Sequence, residues 1–142
     1  MSTVAVGTPV RRRRAGTVAL VVAQVLLALV VGSGGAMKLA ADPVMVSLFD
    51  DIGAGQGLRV LVGSLEVAGA VGLLVPRLAT LAALGLTLLL LGATATNVLV
   101  LDASPVSAAV LALAAGAVTV VRRRRSPGTP SRVGARRVGA RP

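Results

Sequence analysis

Glu66 is the residue of this chain whose surroundings point most directly to chemistry. It is a carboxylate inside residues 58–76, a segment that is apolar apart from Glu66 itself and Arg59 near one end. An ionisable side chain within a membrane span is costly unless it is paired or protonated, so it is a candidate functional residue. A helical stripe passes through it at i, i+4, i+7 and i+11: Arg59, Gly63, Glu66 and Ala70. The small residues of this stripe leave room beside the carboxylate for another helix or a ligand.

Five other polar residues are expected at a depth similar to that of Glu66. Lys38 ends the first of the chain's apolar segments, Arg59 begins the second, and the third carries Thr94, Thr96 and Asn97 near its end. All of these except Thr96 are assigned to a site with Glu66. We therefore predict one polar cluster, in which Glu66 pairs with Lys38 or Arg59. The cluster is either a ligand or proton site, or a buried ion pair that sets the register of two helices without any substrate.

The residue types that the chain lacks exclude several kinds of site. Cysteine, histidine, tyrosine and tryptophan are absent, and Phe49 is the single aromatic residue. Disulfides, thiol redox centres and histidine-ligated haem or zinc are therefore excluded, as is a nucleophile activated by histidine. We predict no catalytic residue, no metal ligand and no intrinsic cofactor.

Long stretches without charge predict the architecture. Hydrophobic residues make up 55% of the 142-residue chain, charged residues 14%, and the mean hydropathy is +0.88. Soluble domains carry about 25% charged residues. Since a helix of ~20 residues crosses a hydrocarbon core, we predict spans at 16–37, 58–76, 78–101 and 104–121. The predicted fold class is all-α, a polytopic membrane protein built as a four-transmembrane-helix bundle, in which Gln24 makes one interhelical hydrogen bond.

The positive charges predict the orientation of this bundle. Thirteen of the 15 basic residues fall on one side: in segment 1–15, at Arg77, and in residues 122–142. All five acidic residues fall on or toward the other side. By the positive-inside rule both termini are cytoplasmic, which an even number of spans also requires. We interpret the arginine runs as topology anchors, expect no nucleic-acid partner, and predict that residues 122–142 form a disordered basic tail.

The connection between the first two spans carries a helix signal of its own. Asp42 as N-cap and Pro43 at the first helical position predict a short amphipathic helix over about 43–52. Its apolar face is predicted to cover the outer end of the bundle, and consists of Val44, Met45, Leu48, Phe49 and Ile52. This segment is either a simple lid or a gate over a lipid-facing, quinone-sized cavity.

The chain resembles the DoxX-like family of small four-span bacterial membrane proteins over roughly residues 20–120. The second span carries the strongest likeness: residues 63–76 read GSLEVAGAVGLLVP, similar to the family pattern GxxExxGAxGLLxP. Residues 35–39, GAMKL, are similar to its GxxKL, and Phe49 followed by Gly53 is similar to its outer amphipathic segment. Family members often have histidine where this chain has Asn97, which cannot titrate or bind haem.

The resemblance implies a bacterial inner-membrane location and, for some members, association with respiratory or quinone-linked oxidoreductases. The leading expectation is a membrane subunit or scaffold of such a system, without a redox centre of its own and with quinone as the candidate ligand. Its partners would then be the lipid membrane and an oxidoreductase. A small proton-coupled transporter or exporter that uses Glu66 is the second expectation, and a purely structural assembly protein, including a homo-oligomer, is the third.

The charge asymmetry predicts that reporter fusions placed after Arg14 and after Arg125 both report from the cytoplasm. A fusion in the connection that contains Asp50 should report from the opposite side, and serves as the control. A reporter exposed on the outer side at Arg125 would contradict the predicted topology.

Overall fold

The structure is a computed structural model that describes residues 9–101, 104 and 106–125. Helices joined by short turns make up these residues, which confirms the predicted all-α class. The helices follow in the order α1 (Pro9–Leu39), α2 (Pro43–Asp51), α3 (Gly55–Leu74), α4 (Ala79–Leu99) and α5 (Val106–Arg125). Asp102 and the predicted tail beyond Arg125 lie outside the described residues.

Four helical segments are long and apolar enough to cross a membrane, namely Arg14–Leu39 of α1 and the whole of α3, α4 and α5. Each reaches the ~20 residues that a span requires. Their outward surfaces carry exposed aliphatic side chains such as Leu88, Leu99 and Leu113. An extensive exposed apolar surface marks membrane contact, so the predicted four-span membrane bundle is confirmed.

Two helices extend further into their arginine runs than the sequence predicts. α1 begins at Pro9 and not at residue 16, and α5 continues to Arg125, past the predicted end at residue 121. Arginine is a good helix former, and proline suits the first helical position. Cations in the last turn of α5 also interact favourably with the negative end of the helix dipole. Residues 122–125, predicted as the start of the tail, are therefore the last turn of a helix.

The four long helices form a closed ring in which sequence neighbours run antiparallel. α1 packs most extensively on α3, α3 packs on α4, α4 packs on α5, and a smaller α1–α5 contact closes the ring. α2 lies at one end, mainly against α3. We call this end of the bundle the α2 end. The opposite end, which carries Arg14, Arg77 and the run 122–125, is called the basic end.

Close helix packing in this ring depends on glycine and alanine. Leu73 and Leu86 fill the core together with Ala83 and Ala115, which have no exposed surface. α1 and α3 approach each other backbone to backbone, since a Cβ atom on Gly35 would lie 2.9 Å from the carbonyl oxygen of Gly63. Small residues at such contacts let the two backbones come together, as in other membrane helix pairs.

α2 forms as its sequence signals predict. The Asp42 side chain accepts a hydrogen bond from the backbone N–H of Val44 at 3.0 Å, and Pro43 occupies the first helical position. The helix ends at Asp51, one residue before the predicted end. Sharp turns bound it on both sides, since Ala41 and Gly53 have φ values of 55° and 71°.

The α1–α3 contact predicts a large difference between two glycine-to-alanine substitutions. Gly35→Ala should destabilise the bundle by about 1–3 kcal/mol, because its methyl group meets backbone and cannot be accommodated by a side-chain shift. Gly85→Ala is the matched control, since nothing lies within 4 Å of its added Cβ. Unfolding free energies measured in lipid or mixed micelles check this. Equal stability of the two variants would contradict the packing described.

Candidate functional site

A cavity of about 480 Å³ lies at the α2 end. Its volume is within the ~300–1,000 Å³ typical of small-molecule sites. All five helices contribute to its wall, which is mostly apolar and carries a few polar groups. The residues on the wall are Lys38, Met45, Leu48, Phe49, Ile52, Leu58, Val62, Glu66, Leu89, Gly92, Ala93, Thr96, Asn97 and Ser107.

The short helix α2 covers this cavity with one face. Phe49 is only 4% exposed, and Leu48 and Ile52 line the cavity beside it. Met45 also lies on the wall, whereas Val44 is 65% exposed and does not belong to this face. The reason is helix geometry, because the lining residues follow the i, i+3, i+4, i+7 pattern that starts at Met45 and excludes Val44.

An ion pair between α1 and α3 forms part of the polar wall. Lys38 Nζ lies 2.8 Å from Glu66 Oε2, and the two side chains are 14% and 8% exposed. The same atoms form a charge-assisted hydrogen bond, which is stronger than a neutral one. Glu66 Oε1 accepts no hydrogen bond from any described residue. One carboxylate oxygen therefore remains able to accept a hydrogen bond from a molecule in the cavity.

Arg59 lies near this pair but does not bind Glu66. Its Nη1 donates to the backbone carbonyl of Lys38, and its Nε donates to Gln56 Oε1 at 2.5 Å. The carbonyl of Lys38 is among the last four of α1, which have no partner within that helix. Arg59 therefore caps the end of α1 and holds the backbone of Lys38, and it is not on the cavity wall.

Gln56 joins the lid to the bundle, a role that the sequence analysis did not assign. Its Nε2 donates to Asp50 Oδ1 at 2.7 Å and to the carbonyl of Val46 at 3.2 Å, both on α2. A glutamine three residues before Arg59 on one helix face is a weak signal that could have suggested contact between the two side chains. Gln56 and Arg59 together connect α2, α3 and the end of α1.

The polar residues of α4 that lie on the cavity wall are not the same set as those predicted for the polar cluster. Asn97 lies on the cavity wall, and its side-chain amide makes no hydrogen bond to the described residues. Thr94 is off the wall, and its hydroxyl donates to the carbonyl of Leu90 on its own helix. Thr96 lines the cavity instead, because it lies one turn beyond Ala93 on the face of α4 that turns toward the cavity.

A second polar cluster lies at the basic end. Gln24 Nε2 donates to the carbonyl of Leu73 on α3 at 3.2 Å, and Gln24 also accepts a second interhelical hydrogen bond, one more than predicted. Arg122 of α5 donates to Gln24 Oε1 at 3.0 Å and to the carbonyl of Pro76 at 3.1 Å. These contacts satisfy carbonyl groups at and just after the end of α3, and join α1, α5 and the α3–α4 turn. Arg122, predicted only as a topology anchor, therefore also holds helices together.

The fold and site together define a polytopic α-helical membrane protein with a covered, mostly apolar cavity at one end. A profile of the DoxX-like family matches residues 22–129, well over half of the chain. The chain therefore belongs to the DoxX-like family, as the resemblance of its second span indicates. Neither a search of curated proteins nor a search of solved structures gives a match.

The geometry predicts that Glu66 is coupled energetically to Lys38 more strongly than to Arg59. Glu66→Ala and Lys38→Ala should each destabilise the bundle by about 3–5 kcal/mol, because each leaves its partner charge buried alone. The double variant should cost clearly less than the sum, whereas Glu66→Ala with Arg59→Ala should be closer to additive.

Unfolding free energies in lipid or mixed micelles measure this coupling. Asp51→Ala removes an exposed carboxylate on α2 and should change stability by less than about 0.5 kcal/mol. Strict additivity of Glu66→Ala and Lys38→Ala would show that the ion pair does not contribute to stability.

Proposed function

We propose that this protein is a membrane subunit of a quinone-linked oxidoreductase system, in which it supplies a quinone-binding cavity and a partner supplies the redox centre. The cavity at the α2 end is the observation that carries the proposal. The chain contributes no group that stores electrons, because it has neither cysteine nor histidine. In this proposal the α2 end faces the outer side of the bacterial inner membrane, which the charge distribution supports.

The chemistry of the cavity wall suits a quinone. A quinone is a flat apolar ring with carbonyl oxygens on opposite edges, and it carries an apolar tail. Phe49, Leu58 and Leu89 offer apolar surface to the ring and tail. The amide N–H of Asn97 and the ammonium group of Lys38 are donors for the carbonyl oxygens, and they come from different helices.

The same groups can also bind the reduced form. A quinol presents hydroxyl donors where the quinone has carbonyl acceptors. Glu66 is on the cavity wall and its Oε1 accepts no hydrogen bond from the described residues, so this oxygen is an acceptor for such a hydroxyl. The Asn97 side chain has both a carbonyl oxygen and an NH₂ group, so it serves either oxidation state. The partner protein must deliver or remove the electrons.

Two other functions use the same features differently. In a proton-coupled transporter, Glu66 would exchange a proton for a cationic substrate, and the cavity would bind that cation. In a structural assembly protein, the Lys38–Glu66 pair would only set the register of α1 and α3. Quinone content distinguishes the three, because only the first function requires a bound quinone after purification.

Filling the cavity should remove bound quinone. Gly92→Leu places a side chain on the cavity wall at a position where nothing lies within 4 Å of the added Cβ. We expect the wild-type protein, extracted with its native lipids, to carry quinone detectable by chromatography of a solvent extract. We expect the Gly92→Leu variant to carry about tenfold less, which corresponds to a loss of about 1.4 kcal/mol of binding energy.

Gly85→Leu is the matched control for this measurement. Gly85 is also on α4 and has open space around its Cβ position, but it lies in a separate apolar groove between α3 and α4. Its quinone content should equal that of the wild type. Absence of quinone from the wild-type protein, or equal retention by Gly92→Leu, would contradict the proposal.

A further inference from the structure

We infer that the contact between α1 and α5 at the basic end binds the phosphate headgroup of an anionic phospholipid. The residues concerned are Arg14, Gly16 and Thr17 on α1 and Arg125 on α5, which we call the α1–α5 seam. This inference is independent of the quinone cavity, which lies at the opposite end of the bundle.

Charge at the basic end is not balanced by the protein. The segments that meet there, residues 9–17, 75–79 and 119–125, contain no acidic residue. The ion pair found within the described residues, Lys38–Glu66, is at the other end. Arginine side chains held together without carboxylates repel one another, so an external anion at this end would lower the electrostatic energy.

One arginine of α5 lies against α1 at the seam, and an arginine of α1 precedes it by one turn. The Arg125 guanidinium lies against α1: its Nη1 is 3.4 Å from Thr17 Oγ1, and its Nη2 is 2.9 Å from the Cβ position of Gly16. A methyl group at this position would require the Arg125 guanidinium to shift. Arg14 is three residues before Thr17 and therefore lies on the same side of α1, one turn nearer the end of the bundle.

The seam lies at the height where lipid phosphates are found. Arg14 immediately precedes a stretch without charge that continues to Lys38, and Arg122–Arg125 follow a stretch without charge from residue 106 onward. These arginines therefore mark the boundary between the hydrocarbon core and the polar headgroups. The planar guanidinium group binds phosphate through paired hydrogen bonds, which suits arginine better than lysine to this task.

The surface next to the seam favours a lipid over a free phosphate ion. Val18, Val21 and Val22 of α1 are all at least half exposed and follow directly on the hydrocarbon side of Arg14 and Thr17. An acyl chain attached to a headgroup in the seam would cover these side chains. A soluble phosphate would leave them unchanged, so the arrangement points to an anionic phospholipid.

Arg123 and Arg124 provide a control within the same helix turn. Both are exposed and make no hydrogen bond to the described residues. A variant with Arg123→Gln and Arg124→Gln loses the same charge from the same end as a variant with Arg14→Gln and Arg125→Gln. Arg122 is left intact in both, because it holds Gln24 and the α3–α4 turn.

The test is native mass spectrometry of the full chain with phosphatidylglycerol or phosphatidylcholine added to the detergent micelle. The wild-type protein should retain phosphatidylglycerol at least about fivefold more strongly than phosphatidylcholine. The Arg14→Gln, Arg125→Gln variant should lose most of this preference. The Arg123→Gln, Arg124→Gln variant should keep it within about twofold.

Three results would overturn the inference. One is a wild-type protein that does not distinguish the two lipids, and this result requires no variant. Another is an equal loss of preference in both double variants, which would indicate a diffuse basic surface without a site. The last is displacement of phosphatidylglycerol by inorganic phosphate at equal concentration, which would indicate a site for soluble phosphate.

Discussion

A charge inside a membrane must be matched by an opposite charge or by hydrogen bonds, and the Lys38–Glu66 pair meets this requirement at the α2 end. The pair joins the end of α1 to the middle of α3, so it fixes the depth at which these two helices meet. Gly35 and Gly63 allow the close backbone approach that brings the two charges within 2.8 Å. The cavity opens beside this contact, and its polar wall depends on it.

The two ends of the bundle use polar groups in different ways. At the α2 end, Arg59 and Gln56 bind backbone carbonyls and an aspartate, and thereby hold the lid and the end of α1 in place. At the basic end, Arg122 and Gln24 bind the carbonyls around the α3–α4 turn. Helix ends inside a membrane leave carbonyl groups without water, so long polar side chains from neighbouring helices take its place.

Most of the fold follows from the sequence, because stretches without charge have the length that a membrane imposes. The short helix α2 was predictable as well, since Asp42 and Pro43 are strong start signals. The positions within the arginine runs where α1 begins and α5 ends were not predictable, because arginine is equally compatible with a helix and with a solvated tail. The contact of Lys38 with Glu66 was one of two pairings that depth allowed.

The rest of the site depends on helix rotation and on backbone groups, which a pattern of residue types does not reveal. Thr94 and Thr96 are the same residue type two positions apart, and only the rotation of α4 places Thr96 on the cavity wall. Arg59 shares a helix stripe with Glu66, yet the backbone carbonyl of Lys38 at the end of α1 is its partner. A sequence pattern reports side chains only, and the carbonyl groups at a helix end can be identified only once the position of that end is known.

Solid-state NMR of the protein in lipid bilayers can test whether Lys38 holds Glu66 on the wall of the cavity. The measurement is the dipolar coupling between Lys38 Nζ, labelled with ¹⁵N, and the Glu66 carboxyl carbon, labelled with ¹³C. A strong coupling is expected, because Nζ and Oε2 are joined by a hydrogen bond of 2.8 Å. No detectable coupling, or a coupling of Glu66 with the Arg59 guanidinium in its place, would contradict it.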